Sequence, residues 1–204
     1  MHSQVCIIYL ELVSSYINFC YTRSKGRRNA KGVDLNRNFP EFWSERFATL
    51  DSMLSGRQPE TQAMIKWIKT NPFVLSANFH GGAVVANYPW DTQNPDKKGR
   101  RGPNLTWDTK AFEALALKYS RHNPSMFNQT TAHRCVPGTG APFKNGITNG
   151  AAWYNVEGSM QDFNYKFSNC MDLTLEVSCC KHPHPHELPQ VSKKGSIEII
   201  CHVF

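Results

Sequence analysis

The chain has 204 residues, of which 40% are hydrophobic and 19% are charged. This length and composition predict one globular domain and exclude both a disordered chain and two domains of ordinary size. Lys and Arg outnumber Asp and Glu by 23 to 16, which gives a net charge of +7. The densest basic cluster, residues 97–101, contains no aromatic side chain that could stack on a base. We therefore predict a solvated basic surface and no nucleic-acid partner.

The first segment with a hydrophobic pattern is residues 5–21. It is interrupted by Glu11, is preceded by no Lys or Arg, and lacks a small-residue cleavage site, so it is a poor signal peptide. It is also shorter than the roughly 20 apolar residues of a membrane span, and we predict none. A buried strand and a sequence foreign to the fold both remain open here. Residues 22–32 are predicted to form a basic loop that contains glycine.

Helices and strands alternate through the rest of the chain. Met64, Trp67 and Ile68 recur at helical spacing ahead of Asn71-Pro72, a helix-ending pair. The predicted elements are a helix over 59–70, a buried strand over 73–79, a helix over 108–121, a long connection rich in Gly, Pro and Asn over about 122–152, and a strand over 173–177. This order predicts an α/β sheet covered on both faces, with a site among polar residues at the strand ends.

Cysteine usage bears on the cellular compartment. The seven cysteines form no Cys-x-x-Cys pair, which argues against a zinc ribbon; they are residues 6, 20, 135, 170, 179, 180 and 201. Asn104 and Asn128 each begin an Asn-x-Thr glycosylation sequence. Together these features favour a secretory or extracellular location. The odd number leaves at least one thiol free or paired outside this chain.

Polar residues interrupt apolar surroundings at three places. Residues 34–40 place an aspartate, two asparagines and an arginine in one short segment. His80 ends a predicted buried strand ahead of two glycines, and Glu176 lies inside an apolar strand, where an ionised carboxylate is costly unless it is paired. Such a glutamate is a candidate functional group. Taken singly, the three features also fit a capped turn, a satisfied core histidine and an edge-strand glutamate.

Together with four further motifs, these segments resemble the metallocarboxypeptidases of the N/E type, which include carboxypeptidases D, E, M and N. The motifs are residues 26–29 (GRRN), 34–40 (DLNRNFP), 79–82 (FHGG), 87–91 (NYPWD), 146–154 (GITNGAAWY), 160–162 (MQD) and 175–181 (LEVSCCK). The resemblance covers residues 26–182. It implies an α/β fold in which a mixed β-sheet is flanked by helices and is incomplete at the N-terminus. The implied catalytic domain spans 26–187, between an atypical segment 1–25 and an atypical tail 188–204.

The resemblance also implies roles for three residues in the chemistry. His80 matches the third zinc ligand, for which a neutral imidazole is well suited. Glu176 matches the carboxylate that takes a proton from zinc-bound water and passes it to the leaving amine. Arg27 matches the residue that polarises the scissile carbonyl and supports the oxyanion.

Five further residues match positions that hold the substrate. Asn36 and Arg37 match the pair that grips the terminal carboxylate of a peptide, a task that suits a guanidinium because it can form two parallel hydrogen bonds. Tyr154 matches a mobile tyrosine that closes over the bound end. Asp91 and Gln161 match a pocket that selects C-terminal Lys or Arg by charge. The resemblance thus implies peptide or protein substrates that end in a basic residue.

The match fails at the zinc site. The first two ligands of the family come from a His-x-x-Glu motif upstream of the arginine loop, and no such motif precedes Arg27 in this sequence. We expect one Zn²⁺ ligand in this chain, with two missing, so that activity depends on ligands it does not supply. Ser159 is a smaller departure, because the family commonly has glycine there, and we expect backbone strain that could alter the Tyr154 loop.

Three interpretations stay open on the sequence alone. The chain could be a truncated form of an active metallocarboxypeptidase that removes C-terminal Lys or Arg. It could be an inactive truncated form that binds peptide C-termini without hydrolysis. It could also be a basic surface-binding module, for which no motif is present.

Overall fold

The computed structural model describes residues 4–8, 27–45, 47–97, 102–128, 135, 143–181, 183 and 185–189, with the backbone alone at 4–8. Its strands are β1 (Gln4–Ile8), β2 (Phe73–His80), β3 (Ala83–Tyr88), β4 (Ile147–Asn149) and β5 (Met171–Ser178). Its helices are α1 (Leu50–Leu54), α2 (Pro59–Thr70), α3 (Thr109–His122), α4 (Pro124–Phe127), α5 (Gly150–Trp153) and α6 (Met160–Ser168). Short 3₁₀ turns occupy Leu35–Arg37, Pro95–Lys97 and Lys144–Gly146.

Most of the elements predicted from the pattern are present. The helix predicted over 59–70 is α2, and β2 extends one residue beyond its predicted end. The predicted helix over 108–121 begins one residue later as α3, and the strand predicted over 173–177 is the middle of β5. The connection predicted over about 122–152 contains three short elements that were not predicted, because α4, β4 and most of α5 fall within it.

The sheet is mixed, as predicted. Its strand order is β1-β2-β5-β3-β4. The pairs β1–β2, β2–β5 and β3–β4 are parallel, whereas β3 and β5 are antiparallel. The segment predicted as a possible strand over 5–21 forms β1 over Gln4–Ile8 only, and residues 9–21 lie outside the described residues. Parallel neighbours β2 and β5 bring their carboxyl ends to the same edge, where a site is expected.

Local sequence explains where α2 begins and ends. Pro59 occupies the first turn, where its missing N–H costs no hydrogen bond. The helix ends at Thr70, and Asn71 caps it because Pro72 disfavours helical backbone at the preceding residue. Ile65 and Ile68 are buried and pack the helix onto the protein, whereas Trp67 of the predicted stripe is 42% exposed.

Two apolar clusters hold helices against the sheet. One joins Ala77 and Phe79 of β2 and Leu173 and Leu175 of β5 to the buried face of α3. The other packs α2 against α6, with Phe39 between them. Each fully buried side chain of this kind stabilises the fold by about 1.5–3 kcal/mol. The helices therefore fix the relative positions of β2, β5 and α6, which carry the polar groups described next.

Between the two clusters, β2 and β5 carry a polar row. Successive side chains of a strand alternate between faces, so the residues between those of the α3 cluster point to the α6 side. We call these six buried side chains the polar row: Ser76, Asn78 and His80 of β2, and Asp172, Thr174 and Glu176 of β5. At its base, the Asp172 carboxylate accepts hydrogen bonds from Ser76, Asn78 and Asn164. At its outer end, His80 and Glu176 are paired neighbours.

The structure bears on three other expectations. Within the part of the chain that it describes, no helix is long and apolar enough to cross a membrane. Cys135 and Cys179 form a disulfide, and Cys180 is also disulfide-bonded. Cys170 is a buried thiol whose Sγ lies 3.3 Å from Ser76 Oγ. Of the basic cluster, residues 98–101 lie outside the described residues.

Candidate active site

His80 and Glu176 stand side by side at the carboxyl ends of two parallel strands. They are register partners in the β2–β5 pair, and their exposed fractions are 7% and 8%. The α3 side of both strands is apolar, so the two functional groups are confined to the α6 side. Two glycines follow His80, and a Cβ at Gly81 would lie 3.1 Å from the Cys180 carbonyl oxygen. Glycine therefore lets the chain after Glu176 pass close to His80.

The His80 imidazole is neutral at physiological pH. Its pKa is lowered to about 4, mainly by burial and also by the nearby charges of Arg27, Lys181 and Arg37. Its Nε2 atom is buried, and no hydrogen bond to it is found among the described residues. A buried, neutral imidazole nitrogen without a hydrogen bond fits a metal ligand, because the lone pair is available.

The described residues do not complete a metal site around His80. Catalytic zinc takes three protein ligands. In the described part of the chain, no group of three or more His, Cys, Asp or Glu side chains is placed to hold a metal ion. The observed donor set thus fits one ligand of a zinc site and not the whole of it.

Arg27 lies on the loop that precedes the 3₁₀ turn. Its Nε donates to Asp34 Oδ2 at 2.6 Å, and both side chains are less than one-fifth exposed. Asp34 Oδ1 accepts the backbone N–H of Asn36 at 3.1 Å, so one carboxylate holds the arginine and caps the turn. This dual use fixes Arg27 beside His80, where its charge acts on the imidazole.

Asn36 and Arg37 form that turn and face α6. Asn36 Oδ1 accepts the backbone N–H of Met160 at 2.9 Å. This leaves Asn36 with only its Nδ2 donors to offer a ligand, which suits a carboxylate. Arg37 Nη1 donates to the Asn36 carbonyl at 2.7 Å. Gly158, with φ +68°, lies against this turn, and a Cβ there would be 2.8 Å from the Arg37 carbonyl oxygen.

Tyr154 follows α5 and remains 42% exposed. Burial of part of the ring raises the pKa of its hydroxyl, and the charge of Glu176 adds to this effect. The charges of Arg37, Asp91 and Arg27 also act on the hydroxyl. Tyr154 therefore lies close enough to these four charged groups for their charges to affect its hydroxyl.

Asp91 is buried beside Asn87 and Gln161, and we call these three side chains the Asp91 pocket. Its exposed fraction is 4%, and its Oδ1 accepts from Asn87 Nδ2 at 2.9 Å and from Gln161 Nε2 at 3.0 Å. Gln161 Oε1 in turn accepts the backbone N–H of Thr174, which ties the pocket to β5. A Cβ at Gly150 would lie 2.0 Å from Asp91 Oδ1, so only glycine fits there.

A second buried carboxylate, that of Asp162, holds the backbone at Asp91. Its two oxygens accept the backbone N–H groups of Asp91 at 2.8 Å and Thr92 at 3.0 Å. Burial raises the pKa of Asp162, and the neighbouring charge of Asp91 raises it further. Burial likewise raises the pKa of Asp91. Asp162 was not among the predicted site residues, although it belongs to the Met-Gln-Asp motif.

The expectation of backbone strain at Ser159 is wrong. Ser159 has φ −76° and ψ 152°, which is ordinary extended backbone, and it caps α6. The positive φ lies one residue earlier, at Gly158. The physical reason is that the tight approach to the Arg37 turn falls on residue 158, where glycine is present.

The structure brings the predicted residues into one region by two kinds of contact. The charges of Arg27 and Arg37 act on both His80 and Tyr154, and those of Asp91 and Glu176 act on Tyr154, so these residues lie in one neighbourhood. Hydrogen bonds add Asn36 through α6 and Gln161 through Asp91. Sequence reasoning did not assign Lys181, whose charge also acts on His80; its place directly after the Cys-Cys pair gave no chemical signal.

Comparison with known proteins identifies relatives of the chain. The zinc carboxypeptidase family, Peptidase_M14, matches residues 18–196. The chain is 45% identical over 175 residues to carboxypeptidase D of Drosophila melanogaster, covering 86% of this chain and 12% of that protein. It is 44% identical over 170 residues to carboxypeptidase M of Mus musculus, covering 83% and 35%. For the catalytic chain of carboxypeptidase N of Homo sapiens, identity is 44% over 178 residues, covering 80% and 37%.

Solved structures agree on the fold. Carboxypeptidase A of Helicoverpa armigera superposes with a TM-score of 0.55 at 15% identity, over 89% of this chain and 44% of that one. Thrombin activatable fibrinolysis inhibitor superposes with a TM-score of 0.54 at 17% identity, over 89% and 46%. The chain thus spans between about one-eighth and two-fifths of the length of the three relatives named above. By sequence match over most of its length, the chain belongs to the zinc carboxypeptidase family.

Proposed function

We propose that this chain carries the substrate-recognition groups and the general base of a metallocarboxypeptidase that removes C-terminal Lys or Arg from peptides or proteins. The observation that carries the proposal is the buried Asp91 carboxylate, which is held by Asn87 and Gln161 and lies near enough to Arg37 to be affected by its charge. A C-terminal basic residue bears a carboxylate and a cationic side chain. A fixed cation and a buried anion are the complementary pair for those two charges.

The grip on the terminal carboxylate is assigned to Arg37 and Asn36. Asn36 has its oxygen engaged by α6 and can offer only N–H donors. Arg37 adds a guanidinium, which can bind a carboxylate through two parallel hydrogen bonds. Tyr154, partly exposed beside them, is assigned to cover the bound end. A group that requires a free carboxylate makes the enzyme an exopeptidase.

Glu176 and Arg27 are assigned to the bond-breaking step. Glu176 takes the proton of the attacking water and delivers it to the amine that leaves. Arg27, held by Asp34 at 2.6 Å, offers a fixed positive charge to the oxygen that becomes negative as water adds. His80, neutral and buried, is assigned as one zinc ligand. Zinc supplies Lewis-acid activation in enzymes of this type.

Asp91 and Gln161 are assigned to the choice of side chain. The resemblance to the N/E-type metallocarboxypeptidases implies a preference for C-terminal Lys or Arg, and carboxypeptidases D, M and N are among the relatives of the chain. In this chain, a buried carboxylate within a hydrogen-bonded frame supports the same preference. A cation is favoured there and an anion is excluded by charge.

A secretory location is also part of the proposal. The disulfide between Cys135 and Cys179 and the bonded Cys180 support an oxidising compartment. The two sequons contribute unequally. Asn104 is 6% exposed, and its Nδ2, the atom that a glycan would modify, donates to the Thr92 carbonyl at 2.6 Å. Asn128 is exposed, whereas residues 129 and 130 of its sequon lie outside the described residues.

The proposal is tested with three short peptides and a zinc measurement. The peptides end in Arg, in Arg-amide and in Glu, and release of the last residue is followed by mass spectrometry. An active enzyme should cleave the Arg peptide alone and hold about one tightly bound zinc per chain, which requires ligands in addition to His80. Cleavage of the amide peptide would contradict the assignment of a carboxylate grip, and equal cleavage of the Arg and Glu peptides would contradict the role of Asp91.

A second function is favoured by the incomplete metal site. Because the described residues present a single candidate ligand, the chain could bind peptide C-termini without cleaving them. This function predicts no bound zinc and no turnover, together with affinity for the Arg peptide that is lost on amidation. A zinc-containing chain with turnover would eliminate it.

A further inference from the structure

The segment ahead of α3 buries its polar side chains and exposes its apolar ones. Asn104 and Thr106 are buried, whereas Leu105 is 56% exposed and Trp107 is completely exposed. A single exposed apolar residue is ordinary on a protein surface. Here two of them stand two positions apart, and a wholly exposed tryptophan forgoes the burial of a large ring. This inverted pattern favours a surface that meets an apolar partner.

Hydrogen bonds fix the backbone on both sides of Leu105. The Asn104 backbone N–H donates to Asn149 Oδ1 at 2.9 Å. Two residues later, the Thr106 backbone N–H donates to Thr109 Oγ1 at 2.9 Å. The two apolar side chains are therefore presented to solvent by a preorganised segment, and little conformational entropy is lost when they are covered.

The helix that follows carries a basic stripe on its exposed face. The buried residues of α3 pack on the sheet, whereas Lys110, Lys118 and Arg121 are all exposed. At about 100° per residue, these three side chains fall within about 80° of one another around the helix axis. Ala114, also exposed, lies between them. The face of α3 that is turned away from the sheet is therefore positively charged.

The surrounding charges reinforce the stripe. Asp108 and Glu113, which lie beside it, already accept hydrogen bonds from tyrosine hydroxyls, at 2.7 Å from Tyr165 and at 3.1 Å from Tyr88. Glu113 also lies about 60° outside the stripe around the helix axis. The chain as a whole has a net charge of +7, which agrees in sign with the stripe. A negatively charged partner is therefore favoured on this face.

We define the α3 surface as five exposed side chains: Leu105, Trp107, Lys110, Lys118 and Arg121. We propose that the α3 surface docks on a bilayer that contains anionic phospholipid. The two apolar side chains enter the headgroup region, where an amphipathic aromatic ring is favoured. The basic stripe lies along the anionic headgroups.

This docking does not depend on the proposed function, because no residue of the α3 surface is assigned to the candidate site. The helix α3 covers the face of the sheet opposite to the polar row. Docking through α3 therefore leaves the polar row on the side that faces away from the membrane. Peptide cleavage and membrane binding can thus be tested separately.

Soluble polyanions are the competing occupants of this surface. An anionic polysaccharide would satisfy the basic stripe, but it offers no apolar medium for Leu105 and Trp107. A bilayer with anionic headgroups satisfies both halves of the surface with one partner. The inverted burial pattern therefore favours lipid over a soluble polymer.

The experiment measures sedimentation of the full chain with two kinds of vesicle. One kind is phosphatidylcholine alone, and the other contains equal parts of phosphatidylcholine and phosphatidylserine. We expect binding to the anionic vesicles and little to the neutral ones. Leu105→Ser with Trp107→Ser should weaken binding by roughly tenfold or more, because apolar surface is no longer buried. Replacing Lys110, Lys118 and Arg121 together by Gln should weaken it by roughly 10²-fold, about fivefold for each charge.

Two matched controls make the same kinds of change away from α3. Trp67→Ser removes a partly exposed tryptophan from α2, which packs against α6 in the other apolar cluster. Replacing Lys31, Lys66 and Lys69 together by Gln removes three exposed positive charges. Both controls should bind the anionic vesicles within a few-fold of the unmodified chain. Melting curves of all variants establish that they fold.

Insertion is measured separately, by quenching of tryptophan emission with phospholipids whose acyl chains carry bromine. The unmodified chain should be quenched when it binds, and Trp107→Ser alone should lose most of this quenching. Undiminished quenching in Trp107→Ser, equal binding to both kinds of vesicle, or equally large losses in the control variants would each overturn the proposal. Failure to bind either vesicle would also overturn it, and retention on immobilised heparin would then assign the stripe to a polysaccharide.

Discussion

The surroundings of Asp91 and those of His80 differ in how completely the described residues build them. The Asp91 carboxylate accepts hydrogen bonds from the side chains of Asn87 and Gln161, and its backbone is held by Asp162. His80 Nε2, by contrast, has no hydrogen-bond partner among the described residues. Both groups are buried. The Asp91 carboxylate is hydrogen-bonded within the described structure, whereas His80 Nε2 can bind a ligand that the described residues do not supply.

This difference teaches that recognition and catalysis have separate requirements here. A preorganised pocket can bind the charged C-terminal residue of a peptide without further groups, because its side chains are already ordered before binding and lose little conformational entropy. Activation of water needs the complete metal site. Variants that affect one function and spare the other should therefore exist.

The largest expected effect is on turnover. Glu176→Gln keeps the shape of the side chain and removes its basicity, so hydrolysis of the Arg peptide should fall by about 10²- to 10⁴-fold. Affinity for the peptide should change little, because Glu176 is not assigned to binding. Steady-state kinetics and calorimetry on the same preparation measure the two.

Glu113→Gln is the control for that substitution. Glu113 accepts from the Tyr88 hydroxyl at 3.1 Å and lies on α3, across the sheet from the site. It should leave turnover within a few-fold of the unmodified chain. Equal losses in both variants would mean that Glu176 acts on stability and not on chemistry.

The next largest effect concerns Asp172 at the base of the polar row, the row that ends in His80 and Glu176. Burial raises the pKa of Asp172 to about 6 from an ordinary value of 3.8. Between these values the folded state holds a proton that the unfolded state has released, so the free energy of unfolding falls as pH rises from about 4 to 6. A shift of this size corresponds to about 3 kcal/mol. Urea unfolding across this range measures the slope.

Asp172→Asn should flatten that slope, because an amide does not titrate. The raised pKa values of Asp91 and Asp162 act in the same direction, so part of the slope should remain. Asp51→Asn, at an exposed position of α1, serves as the control and should keep the full slope. A slope unchanged in Asp172→Asn would show that this carboxyl does not titrate in the folded protein in that range.

A smaller effect is expected from the carboxylate grip. Arg37→Met removes the guanidinium and keeps an aliphatic stem, and should weaken binding of the Arg peptide by about 1.5–3 kcal/mol. Binding of the amidated peptide should not change, because that peptide has no carboxylate for Arg37 to hold. Arg28→Met is the matched control, since Arg28 is exposed on the same loop and donates to the Gly32 carbonyl. If both variants weaken binding equally, Arg37 makes no specific contact with the carboxylate and contributes only to the positive charge of the region.

Sequence pattern predicted the elements that have clear ends. The helix α2 has a proline at its start and Asn71-Pro72 at its end, with an apolar stripe between them. The strand β3 was not predicted, because all six of its residues are buried and such a run shows no alternation. The helix α6 was missed for a related reason: its buried face includes the polar residues Gln161, Asp162 and Asn164, which weaken the apolar stripe.

Residues of the candidate site also differ in whether the local sequence could identify them. His80, Glu176 and Arg37 could be named because their chemistry is unusual in apolar surroundings and their motifs resemble a known family. Their roles remain predictions. Asp162 and Asp172 could not be named, because each acquires its function from partners far along the chain. Asp162 accepts the backbone N–H of Asp91, 71 positions away, and Asp172 accepts the side-chain hydroxyl of Ser76, 96 positions away. Local pattern carries no information about such pairs.

The smallest expected effect tests how tightly the pocket is packed. Gly150→Ala would bring a Cβ to 2.0 Å from Asp91 Oδ1, so the carboxylate must move; overpacking of this kind costs about 1–3 kcal/mol. Gly102→Ala meets no atom within 4 Å and should change stability by less than about 0.5 kcal/mol. Urea unfolding measures stability. The state of the Asp91 pocket is measured as the ratio of affinities for two peptides, one that ends in Arg and one that ends in citrulline, a neutral residue of nearly the same shape. A stable Gly150→Ala chain with full Arg preference would mean that the pocket is not preorganised, and the contrast with His80 would disappear.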